Sequence, residues 1–244
     1  MPRSQTFKRY LPLLAILSYC LAHTSPSLAS LKVTMVNQSL ELTYSQPVRL
    51  SQVLADSNNA LGYSPYSLGA VLTNPKKQDI TERLKQQVFS ELDNLATVEA
   101  VELKSQLEKL TYVAREFISL DQDVVRIKRK QNPMLEGHYH LRVSQMPSTI
   151  QVVGLIPRPQ SLVLQTGDSV ERYLEPLECF NAGDMDRPYI IQPDGEVMHA
   201  NLSYWHGRHY YTAPGALIYI GFKANPELNN QVAELLRYAV KNNE

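Results

Sequence analysis

Two groups of residues in this chain have the chemistry to hold a ligand. The first is Arg115, which stands just before the apolar pair Phe117-Ile118. Arginine is seldom fully buried without a partner. Its planar fork matches carboxylates, phosphates and uronic acids. Arg115 therefore reads either as an anchor for an anion or acidic sugar, or as half of an internal ion pair with Asp121 or Asp123. The second group is Trp205, His206, Arg208, His209, Tyr210 and Tyr211. Aromatic faces beside hydrogen-bond donors suit sugar rings and partner surfaces. The same residue types also pack the edge of a β-hairpin with a polar tip in water. Arg115, Trp205, His206, Arg208 and His209 are the candidates for binding a glycan or a partner.

Other chemistries find little support. His138 and His140 share one face if residues 138–143 form a strand, and His206 and His209 bracket Gly207-Arg208. A zinc site needs three or four converging ligands. The chain has no His-Glu-x-x-His pattern and no cysteine pair, so neither a metal nor a cofactor is expected. There is no Gly-x-Ser-x-Gly elbow and no phosphate-binding glycine loop. Asp121 and Asp123 read as neighbours on a strand face, solvated or paired with Arg126. The expectation is a protein that is not an enzyme. The alternative is a cell-envelope hydrolase or transferase that uses an Arg115 cleft and the histidines.

The compartment is read from the N-terminus. Arg3, Lys8 and Arg9 precede an apolar run from Tyr10 to Ala22, and Ser27-Leu28-Ala29 offers small residues at the cleavage positions. That is the layout of a cleavable secretory leader over residues 1–29. The run is shorter than the roughly 20 residues that a spanning helix needs. A retained anchor is the other reading, and Cys20 would suit lipidation except that bulky Tyr19 precedes it. The expected location is the periplasm, with the mature chain starting at Ser30. Without the leader's three cations the 24 acidic residues outnumber the basic ones, for a net charge of −3. No basic excess points to nucleic acid. Cys179 is then the single cysteine, which excludes a disulfide framework.

Periodicity supplies the elements. Residues 31–36 and 40–44 alternate apolar and polar about Asn37-Gln38, which predicts a β-hairpin. Residues 50–56 read as a short helix, and 57–78 as a loop rich in Asn, Gly, Pro and Ser. Asp79 with Glu82 reads as a helix cap with its reciprocal partner. Ile80, Leu84, Val88 and Leu92 follow at helical spacing. Thr97 caps a second helix, giving a helical hairpin at about 79–112 that lies on a β domain. Residues 123–128 and 138–143 read as strands. After Met146-Pro147-Ser148 come strands at 150–155 and 161–164, a helix from Gly167 to about Asn181, strands at 189–192 and 196–198, and a last strand at 216–220. Two strands, a helix and further strands suit a β-grasp, a small mixed sheet holding one helix on its apolar face. Pro226 opens a final amphipathic helix over 226–242, with Leu228, Val232, Leu235, Leu236 and Val240 along one side. That stripe can dock on its own domain, on a partner or on a membrane. The short link before Pro226 lets the helix swing free, so removing residues 226–244 is expected to leave the rest folded.

Several motifs are familiar in combination. Val153-Gly154-Leu155-Ile156-Pro157, Thr166-Gly167-Asp168-Ser169, Asp194-Gly195 and Ala213-Pro214-Gly215 resemble the β-grasp domains of bacterial polysaccharide exporters. The whole mature chain resembles the capsule biosynthesis GfcC family. The likeness is carried by Arg115, Leu120-Asp121-Gln122-Asp123-Val124-Val125-Arg126, Asn132-Pro133, Gly137-His138-Tyr139, Ile150 to Gly154, Trp205 to His209, and Ile220-Gly221-Phe222. The segment before Asp79 departs most from the family's pattern. The resemblance implies an α+β fold of two β-grasp domains, at 30–147 and 148–223, with the hairpin inserted in the first and an amphipathic helix at the end. It implies a periplasmic accessory of capsule or O-antigen-like polysaccharide export or assembly, with no established enzymatic activity. Glycan and outer-membrane polysaccharide export proteins are the implied partners. The family's notable cleft arginine maps onto Arg115.

Overall fold

A computed structural model of the chain describes residues 30–63, 65–203 and 209–240. The expected leader lies outside these residues, and so do Trp205, His206 and Arg208. The architecture is mixed α+β. β1 (Leu31–Met35) and β2 (Leu40–Tyr44) form the predicted antiparallel hairpin, with Leu31 opposite Tyr44. Alternation in β1 sends Leu31, Val33 and Met35 into the core. β3 (Val48–Arg49) leads into α1 (Leu50–Leu61), which buries Leu50, Val53 and Leu54 and stops at Gly62 in the left-handed region. β4 (Val71–Thr73), α2 (Gln78–Leu95), α3 (Val98–Glu108), β5 (Thr111–Tyr112), α4 (Gln122–Ile127), β6 (Met134–Leu135) and β7 (Gly137–Arg142) follow. The first sheet runs β2-β1-β7-β4. β1 and β7 are parallel, and the other pairs are antiparallel.

The second sheet is built from β8 (Thr149–Gly154), β9 (Gln160–Val163), β10 (Tyr189–Ile191), β11 (Val197–His199) and β12 (Leu217–Ile220), with α5 (Val170–Leu174) between β9 and β10. Its order is β11-β10-β12-β8-β9, and β8 and β12 are its parallel pair. α6 (Pro226–Leu236) and β13 (Ala239–Val240) close the chain.

The two halves are laced together. The α2–α3 hairpin is inserted between strands of the first sheet, yet Val88, Leu92, Ala100, Leu103 and Leu107 are buried with the second sheet and α6. In return, β13 pairs with β5, so the end of the chain ties back to the segment that leaves the hairpin.

Several expectations are corrected. Residues 122–127 form a helix, not a strand, because the Asp121 carboxylate accepts from the N–H groups of Asp123 and Val124. That cap outweighs the weak strand preference of two valines. The predicted 57–78 loop contains the end of α1 and all of β4, a strand too short to show a period. α2 begins at Gln78, so Asp79 sits in its first turn and pairs with Arg83 instead of capping. α5 ends at Leu174 because Pro176 disfavours helix at the residue before it. The final helix ends at Leu236, and Ala239–Val240 is strand. Its stripe is buried inside the molecule: Leu228, Val232, Leu235 and Leu236 belong to the second core. Asn229 is buried too, bonding the N–H and carbonyl of Phe222 and the Tyr219 hydroxyl. This apolar face is therefore not available to a partner or membrane while the helix stays docked.

Candidate functional site

Arg115 is placed by a segment stitched on both sides. Val113 donates its N–H to the Tyr238 carbonyl, and Glu116 donates to Leu72 of β4. Arg115 itself forms an isolated antiparallel bridge with Thr73. Its side chain is only 8% exposed. Nη2 donates to the Pro193 carbonyl at 2.9 Å and Nη1 to the Arg237 carbonyl at 3.2 Å. Nε is buried with no hydrogen-bond partner.

Of the two readings of Arg115, the ion pair with Asp121 or Asp123 is not formed. Asp121 is occupied capping α4, and Asp123 pairs with Arg126 at 3.2 Å. Among the described residues no carboxylate forms an ion pair with Arg115. Burial pushes the Arg115 guanidinium down to about 10, while Asp194 works against that shift and Arg237 adds to it. The group still carries its charge at neutral pH. A buried cation held by neutral carbonyls alone retains capacity for an anion.

A cleft of about 520 Å³ opens over this guanidinium, walled by Phe117, Leu120, Val124, Asp194, Gly195 and Arg237 among others. Arg237 lies over the Phe117 ring at 4.0 Å, donates from Nε to the Gly195 carbonyl at 2.8 Å, and pairs with Glu234. Tyr238 meets the same ring edge-on at 5.2 Å. Gly195 has φ +89, and a Cβ there would stand 2.7 Å from Phe117, so the turn needs glycine for both reasons. A second cavity of about 830 Å³ also touches Arg115 and Arg237, and Tyr66 lines it. The Tyr66 hydroxyl is buried without a hydrogen-bond partner, and burial, then Asp194, raises its pKa.

The other candidates fare differently. His209 is exposed and lines neither cavity. Nor does any other described histidine. His138 and His140 do share a face, with ring centroids 4.7 Å apart. His199 stacks on Tyr189. Among the described residues no group of three or more His, Cys, Asp or Glu could hold a metal. Sequence reading missed Phe117, Gly195 and Arg237 as site residues. Asp194-Gly195 stands in the sequence only as one of the motifs shared with the exporter β-grasp domains, and Arg237 lies off the apolar side of the final helix with no pattern to mark it.

Two family models match the chain: capsule biosynthesis GfcC, N-terminal, over residues 27–146, and capsule biosynthesis GfcC C-terminal, over residues 158–241. The chain belongs to the capsule biosynthesis GfcC family. A stretch of 147 residues is also 35% identical to YjbG, an uncharacterized protein of Escherichia coli (strain K12), covering 60% of this chain and 59% of YjbG. In this GfcC-family chain the cleft is composite. Arg115 and Phe117 fall in the N-terminal match, while Asp194, Gly195 and Arg237 fall in the C-terminal one.

Proposed function

We propose that this chain is a non-enzymatic periplasmic factor in the export or assembly of a capsule or O-antigen-like polysaccharide, and that its Arg115 cleft takes an acidic group of the glycan or of the export machinery. Family membership supports the role in capsule biosynthesis. The observation that carries the site is the buried Arg115 guanidinium, which lines the cleft, forms no ion pair among the described residues and leaves Nε without a hydrogen bond, although Asp121, Asp194 and Glu196 also line the cleft. A carboxylate or phosphate entering the cleft would meet a charge already desolvated and oriented, so little reorganisation opposes binding. The half-exposed Phe117 ring offers apolar surface beside it, as a sugar face requires.

The architecture accords with two β-grasp domains. Each sheet opens with a hairpin and sets its first strand parallel to a later one, and each packs against a helix.

Calorimetric titration with glucuronate-containing oligosaccharides tests the site. Binding should be confined to the acidic sugars and abolished by Arg115→Gln. Equal binding by parent and variant would remove the cleft from the mechanism. Periplasmic fractionation with N-terminal sequencing tests the location: residues 1–29 still attached in the soluble envelope fraction would refute cleavage after Ala29.

A further inference from the structure

A second surface feature lies where α4 turns into β6. Between Asp123 and Glu136 the chain carries Arg126, Lys128, Arg129 and Lys130 and no acid, although the whole chain is formally neutral. Arg126 is paired with Asp123. Lys128, Arg129 and Lys130 are exposed, and among the described residues none of them forms an ion pair. Two large apolar side chains project among these cations. Ile127 is 76% exposed, and Met134 is 51% exposed. Arg49 stands directly opposite Met134 in the β3–β6 pair, so it adds a further cation on the same face.

The knuckle is held in shape. Arg49 Nη1 donates to the Asn132 carbonyl at 2.9 Å, and the Asn132 side chain bonds both the N–H and the hydroxyl of Ser51. The Leu50 N–H donates to the Pro133 carbonyl. The Gln131 side chain accepts from the Ser119 N–H. Ile127 is thus presented on an anchored turn.

We infer that this knuckle docks the protein on an anionic lipid surface, with Ile127 and Met134 entering the interface and Arg49, Lys128, Arg129 and Lys130 facing the headgroup phosphates. Exposed cations alone would suit any polyanion. The two exposed apolar side chains carried on the same stretch of chain favour a bilayer, which solvates both kinds of group at once. Among the described residues no helix is long and apolar enough to cross a membrane, so this contact is peripheral. α4 and Gln131 also form part of the Arg115 cleft wall, so docking here would hold that cleft close to the lipid.

The test is co-sedimentation of the full protein with vesicles of phosphatidylglycerol and phosphatidylcholine, beside vesicles of phosphatidylcholine alone. Binding is expected only with the anionic vesicles. Replacing Lys128, Arg129 and Lys130 together by Gln should weaken it on the order of 100-fold, since each cation near the surface contributes about fivefold. Ile127→Trp in a Trp205→Phe background supplies a local readout, because Trp205 is the parent's single tryptophan. Its emission should shift to the blue with anionic vesicles and stay unshifted with soluble polygalacturonate. Binding through another part of the chain, the leader included, leaves that emission unmoved and overturns the inference. Vesicle binding that survives the triple Gln variant does the same. A blue shift with polygalacturonate and none with vesicles assigns the knuckle to an acidic polymer instead.

Discussion

Gln106 clasps the backbone of Gly154 at two points: its Nε2 donates to the Gly154 carbonyl at 2.9 Å, and its Oε1 accepts from the Gly154 N–H at 2.9 Å. The clasp joins α3 of the inserted hairpin to the end of β8. Gly154 has φ +116, and a Cβ there would run into the Ile220 carbonyl, so the backbone must present itself bare. Gln106→Leu keeps the bulk and leaves the Gly154 N–H buried without its partner, while the Gly154 carbonyl keeps the bond from the Ile156 N–H. A loss of about 1–3 kcal/mol is expected from denaturant unfolding. A loss under about 0.5 kcal/mol would show the clasp to be incidental.

Arg115 should behave in the opposite way. Because no carboxylate pairs with it, Arg115→Met leaves no orphaned buried charge. It removes two bonds to carbonyls and relieves the desolvation of a cation. The net change in stability should stay within about 2 kcal/mol, while binding of acidic sugars is lost. A loss of about 4 kcal/mol or more, measured by urea titration, would mark Arg115 as a structural bolt between the halves.

Removal of residues 226–244 should abolish cooperative folding of the second core. Leu228, Val232, Leu235 and Leu236 are each no more than 2% exposed and sit in that core. A single Leu235→Ala substitution should cost about 3 kcal/mol. Deleting the whole face exceeds the usual net stability of a domain, about 5–15 kcal/mol. Circular dichroism melts of the truncated chain decide this. A parent-like transition would mean that the helix is an appendage.

His140 provides a pH-dependent contribution. Burial, then the neighbouring His138, holds its pKa below the usual 6.5. The folded chain therefore binds fewer protons than the unfolded chain just below that value. The stability linked to neutral His140 is complete above pH 6.5 and is lost as the pH falls through the lowered folded value. Unfolding midpoints between pH 7 and pH 5 should fall less steeply in His140→Gln than in the parent. Parallel slopes would remove His140 as a contributor.

Local signals determined much of this protein. Alternation in Leu31–Met35 and Leu40–Tyr44 specified a hairpin, because a period of two leaves one buried face. Thr97 caps α3 as its spacing implied. Arg115 stood out because an arginine beside an apolar pair needs a reason. Tertiary structure decided what those elements do. Whether residues 122–127 became helix or strand depended on one carboxylate cap, which six residues of weak propensity do not reveal. The hairpin's periodicity showed which face is apolar, but not that the face would bury against the second sheet. The same holds for α6, whose stripe looks identical whether its cover is a partner or its own core. The cleft around Arg115 draws Phe117 from one half and Asp194, Gly195 and Arg237 from the other. Hydrophobic burial and backbone carbonyls carry no sequence spacing across such distances, so only the packed chain brings those residues together.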